Sequence, residues 1–291
     1  MEGPARPANL MTESRVSVGA SLAFSWKLWV SRWRSIWGVL ALTSLAATVY
    51  LAGDFADKVE VEVAGTAAYL LVVLMTNGAV FRLAFASRHG DDPAFAPGPV
   101  GVQWRAMEWR LLGASLLLLL FYAILIAVAF VAVGGVAMGI AMNKGQVSAL
   151  TTPQALIAAL GPQGGTAVTI LAAIAYAALI YVAVRLSLVQ AATADQGRIA
   201  VLRTWKLTKG QVWRIFASLV LIQLPVLFVS VIVGALAHAG ASGGMGLATE
   251  AMAPAGALSA GLVIGVLTGG VAAPLGAGVL AYYYMMSSKA P

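Results

Sequence analysis

The sequence lacks cysteine entirely and has very little charge. None of its 291 residues is Cys, and only 10% are Asp, Glu, Lys or Arg. The absence of cysteine excludes disulfide bonds, thiolate metal sites and cysteine nucleophiles. Soluble proteins contain about 25% charged residues, so the shortage of charge points to a membrane protein.

Long apolar runs account for most of the chain, which is 60% hydrophobic with a mean hydropathy of +0.89. A helix of about 20 apolar residues crosses the roughly 30 Å hydrocarbon core of a bilayer. The runs predict an all-α polytopic membrane protein with six transmembrane helices arranged as three hairpins. The predicted helices cover approximately residues 35–53, 64–87, 110–141, 166–191, 213–238 and 257–285. The third exceeds the bilayer thickness, so we expect it to tilt, to bend near Gly134 and Gly135, or to project into solvent.

The N-terminal segment precedes the first apolar run and is predicted to lie outside the folded part. We predict a flexible leader at residues 1–20 and a single six-helix transmembrane domain at residues 21–291. Met1 and Met11 are both candidates for the initiator methionine. A secretory signal has a much shorter charged region before its apolar run, so we expect the first span to be retained.

The basic residues are distributed asymmetrically among the predicted connections. Of the 18 Lys and Arg residues, all but Lys58 and Lys144 fall in the N-terminal segment, in the second and fourth connections with their flanks, or at the C-terminal end. Positive residues stay on the cytoplasmic side during membrane insertion. The sequence therefore predicts an integral protein of a bacterial-type inner membrane with both termini in the cytoplasm.

Aromatic and basic residues recur before the odd-numbered spans. All eight Trp residues lie in three stretches, at residues 25–37, 103–112 and 203–216. Arg82 and Arg185 are 103 residues apart. Trp109 and Trp213 are 104 apart, and the two similar spacings indicate a duplicated unit. We predict three parallel repeats, at approximately residues 24–88, 101–192 and 195–287. Each has an amphipathic interfacial helix followed by two spans. Their pseudo-symmetry axis is expected to lie along the membrane normal.

Arg82 and Arg185 each lie near the predicted cytoplasmic end of an even-numbered span. A guanidinium at this depth can hold a lipid phosphate through two hydrogen bonds, but long basic side chains also reach the interface without any ligand. Lipid-phosphate binding and simple anchoring at the interface are both open for the nearby aromatic and basic residues. Residues 195–210 are expected to form one surface-lying helix. The candidate lipid-phosphate or interface residues are Arg82, Arg185, Trp109, Arg110, Trp205, Lys206, Lys209, Trp213 and Arg214.

Glycines spaced four residues apart occur in two predicted spans. Gly135 and Gly139 lie in the third span, and Gly261, Gly265 and Gly269 lie in the sixth. This spacing lets two helix backbones approach closely. We predict helix packing at these glycines, either within one chain or between two chains.

Few residues in the predicted spans are suited to catalysis. No Asp or Glu falls within a predicted span core, and the two histidines, His89 and His238, fall on opposite faces of the membrane. Ionisable groups inside spans mark proton relays and substrate pathways, and metal sites need several converging donors. The sequence therefore predicts neither an enzyme nor a metal or cofactor site. The net charge of +7 follows from the topology, so no nucleic-acid partner is predicted either.

The stretch RLSLVQAATADQGRIAVLRTWKLTKGQVWRIFASL, from Arg185 to Leu219, carries a family resemblance. It resembles the membrane domain that precedes the catalytic domain of some glycerophosphodiester phosphodiesterases, and related standalone bacterial inner-membrane proteins. The matching features are the arginine that ends the fourth span, the loop containing Asp195, the Thr-Trp-Lys-Leu-Thr core with the Lys-Gly after it, and the Trp-Arg pair entering the fifth span. The resemblance implies a six-helix membrane module with suggested roles in membrane organisation or lipid handling. It does not imply phosphodiesterase activity, because that chemistry belongs to a separate soluble barrel.

Two function hypotheses follow from these observations. The first is a non-enzymatic module that organises the membrane or binds lipids, including anionic ones, through its basic and aromatic interfacial residues. The second is a transporter of small solutes or lipids with a path between the helix-hairpin repeats. Membrane lipids are the expected partners, and neither hypothesis requires a cofactor.

Overall fold

The structure is a computed structural model that describes residues 17–55, 58–90, 92–96, 98–143, 153–241 and 254–288. In these ranges the helices are α1 (Val18–Phe55), α2 (Val59–His89), α3 (Ala106–Asn143), α4 (Pro153–Leu186), α5 (Val189–Gln196), α6 (Val201–Leu207), α7 (Val212–Ala241), α8 (Pro254–Gly265) and α9 (Ala273–Ser287). A π-helical stretch, Val266–Ala272, joins α8 to α9, and two 3₁₀ turns, Pro93–Phe95 and Pro99–Gly101, lie between α2 and α3. The predicted leader falls mostly outside the described residues, and α1 already begins at Val18.

Six helical stretches of the described chain are long and apolar enough to span a membrane. They are Val18–Asp54, Val59–His89, Pro99–Asn143, Leu160–Gln196, Val212–Leu236 and Leu258–Ser287. Each overlaps one predicted span, so the prediction of an all-α membrane protein with six spans is confirmed. The chain is an integral membrane protein.

The aromatic and basic stretches do not form three matching interfacial helices. The first, at residues 25–37, is part of α1, which is helical for 38 residues. The second begins in a non-helical segment and continues into the first turns of α3, and the third is divided between α6 and the start of α7. Two short helices, α5 and α6, replace the single helix expected at residues 195–210, because Gly197 adopts a left-handed conformation (φ 62°) that ends α5.

The six spans divide into three inner and three outer ones. The inner spans are α1, α2 and the continuous α8–α9 span. In the most apolar stretch of each, 44% (α1) or 50% (α2 and α8–α9) of the residues are buried. In the outer spans the buried share is zero for α3 and 6% for α4 and α7. The inner spans pack around α1, whereas the outer spans leave most of their apolar surface exposed.

Glycines let the sixth span pack directly against the backbone of α1. A Cβ on Gly261 would lie 2.9 Å from Thr48 O, and one on Gly265 would lie 2.8 Å from Thr48 N. A Cβ on Gly269 would lie 2.7 Å from Ser44 N. At these three glycines the structure therefore shows close helix packing within one chain.

The glycine pair of α3 is not packed in the same way. Apart from the adjacent residues and backbone of α3 itself, no atom of the described chain lies within 4 Å of a Cβ built on Gly135 or Gly139. The helix also continues through Gly134 and Gly135 as one element.

The helix α1 changes direction between Ser25 and Thr43. The backbone of Thr43 approaches Gly269, and the side chain of Ser25 approaches Gly278. The 18 residues from Ser25 to Thr43 would span about 27 Å in a straight helix, whereas the nine from Gly269 to Gly278 span only about 14 Å. The N-terminal aromatic part of α1 is therefore inclined to its membrane-spanning part.

Pro274 gives a physical reason for the π-helical stretch before α9. Proline has no N–H to donate to the carbonyl four residues earlier, which belongs to Gly270. The indole Nε1 of Trp29 donates to that carbonyl at 3.1 Å, and the Ser25 hydroxyl donates to the Leu275 carbonyl at 2.6 Å. The inclined part of α1 thus satisfies a backbone acceptor that the proline leaves without its helical donor, as a bilayer interior requires.

The hydrophobic core lies toward one end of the bundle. Its large buried side chains include Phe81 and Phe85 of α2, Leu111 of α3, Leu188 next to α5, Ile215 of α7 and Tyr283 of α9. This end is formed by the C-terminal ends of α2, α4 and α9, the N-terminal ends of α3 and α7, and the short helices α5 and α6. We call it the basic end, because most of the Lys and Arg residues belong to these segments.

Gly265→Ala is expected to destabilise the protein, because its methyl group would meet the backbone of α1. The new Cβ would lie 2.8 Å from Thr48 N and 2.9 Å from Ser44 O, and overpacking of this kind costs about 1–3 kcal/mol. Thermal unfolding of the purified protein in detergent measures the change. Gly139→Ala is the matched control, since its methyl group meets nothing within 4 Å. Equal stability of the two variants would contradict the packing described for the sixth span.

Candidate functional site at the basic end

Arg82 is fully buried near the C-terminal end of α2, with a relative exposure of 0%. Its Nη2 donates to Glu108 Oε1 at 2.6 Å, and its Nε donates to the Ala94 carbonyl at 3.2 Å. Glu108 is also 0% exposed, so the two charges form a buried ion pair. Within the described chain, Arg82 Nη1 has no hydrogen-bond partner. The guanidinium of Arg82 is therefore engaged by the protein itself and is not presented at the surface as a phosphate ligand.

The side chain of Glu108 is positioned by a hydrogen bond at the N-terminus of α3. Its Oε2 accepts a hydrogen bond from the backbone N–H of Arg105 at 2.8 Å, which is one half of a helix capping box. Gly78 leaves room for the carboxylate, since a Cβ there would lie 2.5 Å from Glu108 Oε1. The ion pair thus joins the end of α2, the turn at Ala94 and the start of α3.

Hydropathy alone does not identify Glu108, because the predicted third span begins at residue 110 and leaves this carboxylate outside it. A local signal is nevertheless present. A Glu three residues after a loop residue and shortly before a long apolar run is typical of a helix N-terminus. That signal places Glu108 in the first turn of α3, although it does not reveal the ion pair.

Arg185, at the C-terminal end of α4, is held in a different way. Its Nε donates to the Tyr181 hydroxyl at 3.1 Å. Its Nη1 donates to the Trp205 carbonyl at 2.9 Å and to Thr208 Oγ1 at 3.3 Å. The guanidinium carbon lies 4.8 Å from the centre of the Trp205 ring and 5.5 Å from that of Tyr181, within the range of cation–π attraction. We call Arg185, Tyr181, Trp205 and Thr208 the Arg185 cage.

The cage leaves one side of the guanidinium open. The side chain is only half-buried, and its Nη2 makes no hydrogen bond or ion pair with a described residue. A guanidinium has five N–H groups, so the two on Nη2 are available to a ligand. Among the described residues, no Asp or Glu forms an ion pair with Arg185.

An apolar groove of about 380 Å³ opens beside the cage. It is lined by Leu117, Leu118, Leu120, Phe121 and Ile124 of α3, Leu186 of α4, and Val201 and Trp205 of α6. Trp205 belongs to both the groove and the cage, and Leu186 directly follows Arg185. A fixed cation and an apolar groove therefore meet at one tryptophan ring.

The other predicted basic residues surround the same end. Lys206 and Lys209 are exposed in α6 and just after it. Arg110 lies over the turn between α5 and α6, since its Nη1 would be 3.3 Å from a Cβ on Gly197. Arg214 is half-buried in the first turn of α7. These side chains add positive charge to the basic end.

The two remaining predicted tryptophans are strongly exposed. Trp109 is 62% and Trp213 is 75% exposed. Each packs edge-on against one aromatic neighbour, Trp104 in the first case and Phe216 in the second. Exposed indoles at the ends of spans are typical of residues that lie at a membrane interface.

A second polar cluster at the basic end is centred on Asp195. Its Oδ1 lies 2.9 Å from His89 Nε2, and its Oδ2 accepts a hydrogen bond from the Tyr284 hydroxyl at 2.8 Å. Arg88 Nη1 lies 3.7 Å from the same Oδ2, and the His89 ring stacks on Phe95 at 3.9 Å. Asp195 belongs to the helix α5, whereas the family resemblance led us to expect it in a loop. The cluster ties α2, α5 and α9 together.

Polar side chains inside the spans differ in whether they find partners. Asn77 Nδ2 donates to Gln190 Oε1 at 2.8 Å, and Gln190 Nε2 donates to Ser115 Oγ at 3.0 Å. These bonds connect α2, α5 and α3. By contrast, Gln223 of α7 is exposed and makes no hydrogen bond with a residue that the structure describes.

No protein-family model, no curated protein and no solved structure matches this chain. The described ranges contain no group of three or more His, Asp and Glu side chains placed to hold a metal ion. The case for a function therefore rests on the geometry of the basic end.

Glu108→Leu is expected to destabilise the protein by about 3–5 kcal/mol, because it leaves Arg82 buried without its counter-ion. The double variant Arg82→Met with Glu108→Leu should lose much less, since no unpaired charge remains. Unfolding of the purified variants in detergent measures both changes. Glu60→Gln, which alters an exposed carboxylate in the first turn of α2, is the control and should be neutral. A double variant as unstable as the single one would contradict this account of the pair.

Proposed function

We propose that this protein is a non-enzymatic integral membrane module that binds an anionic phospholipid at the basic end, with the lipid phosphate on Arg185. The observation that carries the proposal is the Arg185 cage, in which a guanidinium is fixed while its Nη2 stays open. Because the cage already restrains the side chain, little conformational entropy is lost when an anion binds. The two N–H groups of Nη2 suit phosphate oxygens, which form charge-assisted hydrogen bonds with arginine.

The groove beside the cage favours a lipid over a free phosphate as the ligand. It begins at Trp205, so a lipid whose phosphate contacts Arg185 has an apolar channel for one acyl chain directly beside it. Inside a bilayer an acyl chain gains nothing by leaving water, and its affinity for protein comes from van der Waals packing. We therefore expect Arg185 to supply the selectivity for anionic lipids and the groove to orient the bound molecule.

The charge around the cage supports an anionic headgroup. Lys206 and Lys209 are exposed close to Trp205 in the chain, and so are Arg198 and Arg203. Each basic residue near an anionic leaflet contributes about 1 kcal/mol of attraction. This attraction concentrates anionic lipids at the basic end, where the cage then selects one position for a phosphate.

The proposal places the basic end on the cytoplasmic face of a bacterial-type inner membrane. The reason is the distribution of Lys and Arg, which disfavours translocation of this end. A lipid-binding or membrane-organising role also agrees with the resemblance of residues 185–219 to the membrane domain of glycerophosphodiester phosphodiesterases.

Arg185→Gln is expected to lower the anionic lipid that co-purifies with the protein by roughly tenfold or more, since a hydrogen bond to a charged group contributes about 1.5–3 kcal/mol. Native mass spectrometry counts the bound lipids after reconstitution into phosphatidylglycerol mixed with phosphatidylcholine. Arg198→Gln removes an exposed charge from the same end without touching the cage and is the matched control. Unchanged lipid binding in Arg185→Gln, or an equal loss in Arg198→Gln, would refute the proposal.

Leu120→Trp distinguishes binding of the acyl chain from binding of the headgroup, because it adds bulk to the groove wall without changing charge. If the groove holds a chain, this variant should also bind less phosphatidylglycerol, while inorganic phosphate should not displace the lipid from the unmodified protein. Loss of lipid only in Arg185→Gln would assign the site to the headgroup alone. Displacement by inorganic phosphate would identify a free phosphate site instead.

A further inference from the structure

Gln223 lies near the middle of the outer span α7. It is 11 residues beyond Val212, where α7 begins, which places it about 16 Å along a helix that crosses roughly 30 Å of hydrocarbon. Its side chain is exposed and has no hydrogen-bond partner among the described residues. Lipid tails offer neither donors nor acceptors, so the amide is left unsatisfied at this depth.

Three other polar side chains of the spans form hydrogen bonds, whereas Gln223 forms none with a described residue. Asn77 and Gln190 bond each other inside the bundle. Ser230, two turns after Gln223 on the same face of α7, donates to the carbonyl of Val226 in its own helix at 2.7 Å. An exposed amide without such a partner is costly in a membrane, and this cost favours a partner outside the described chain.

We propose that Gln223 pairs with the same residue of a second copy of this chain, across a two-fold interface between two α7 helices. An amide carries both donors and an acceptor, so two facing Gln223 side chains complement each other across a two-fold axis. Polar side chains of this type form hydrogen bonds between helices in membranes. The helix α7 has free surface for such an interface, since only 6% of the residues in its most apolar stretch are buried.

The neighbours of Gln223 favour a helix over a polar solute as its partner. Val220 and Leu227 lie about one turn before and after it on the same face, and Leu227 is 60% exposed. A water-filled path needs several polar groups along one face. A single central amide flanked by apolar side chains is suited to helix packing instead.

The absence of cysteine from the sequence permits a direct test by cross-linking. Leu227→Cys places a thiol on the face that carries Gln223, and Leu221→Cys places one on the opposite face, about 9 Å away along the helix. Oxidation in liposomes at low protein density is expected to give disulfide-linked dimers with Leu227→Cys and several-fold fewer with Leu221→Cys. Equal yields at the two positions, or no dimer with Leu227→Cys, would overturn the proposal.

Gln223→Leu in the Leu227→Cys background isolates the contribution of the amide. We expect the dimerisation constant, obtained from cross-linking over a range of protein-to-lipid ratios, to fall about fivefold to thirtyfold. Single-molecule photobleaching of the labelled, cysteine-free protein in liposomes gives an independent readout and should shift from two bleaching steps to one. Thermal stability should not change, because Gln223 has no partner in the described chain. An unaltered dimerisation constant would overturn the proposal.

Discussion

The buried ion pair between Arg82 and Glu108 is the interaction on which the arrangement of the basic end depends. Removing two charges from water is costly, and such a pair is tolerated only when further hydrogen bonds complete it. The Ala94 carbonyl and the Arg105 backbone N–H supply those bonds. Both belong to the connection between α2 and α3, so this connection cannot separate from the bundle without breaking the hydrogen bonds of two buried charges. The pair therefore fixes the position of α3, and with it Leu111 in the core.

Arg82 and Arg185 each lie near the C-terminal end of a long helix, α2 and α4, but have different surroundings. The charge of Arg82 is neutralised inside the protein by Glu108. Arg185 contacts aromatic rings, a hydroxyl group and a carbonyl group, which restrain the guanidinium without neutralising it. A restrained cation with unused donors attracts an anion from its surroundings. Glu108 beside Arg82, and the lack of an ion-pair partner for Arg185 among the described residues, are thus what distinguish the two arginines.

The six spans were predictable from the sequence because helix length and apolar composition are local properties. The environment of each arginine was not, since it depends on contacts between residues far apart in the chain. Glu108 lies 26 residues from Arg82, and nothing in its local pattern indicates burial. The same limit applies to Asn77 and Gln223, which look alike in sequence although one is hydrogen-bonded inside the bundle and the other is exposed. The division into inner and outer spans likewise depends on which helix contacts α1.

That division determines how each span can be held in a bilayer. Apolar side chains gain little from leaving lipid for another helix, so helix association requires close backbone contact or polar bonds. The sixth span has close backbone contact with α1, through Gly261, Gly265 and Gly269. The outer span α3 has its buried ion pair at the basic end, where Glu108 lies. The most apolar stretches of α3 and α7 are exposed, although Ala137 and Ala141 of α3 are buried. Gln223 is an amide of α7 that lies deep in the membrane. The outer helices therefore leave most of their apolar length open to lipid or to a second copy.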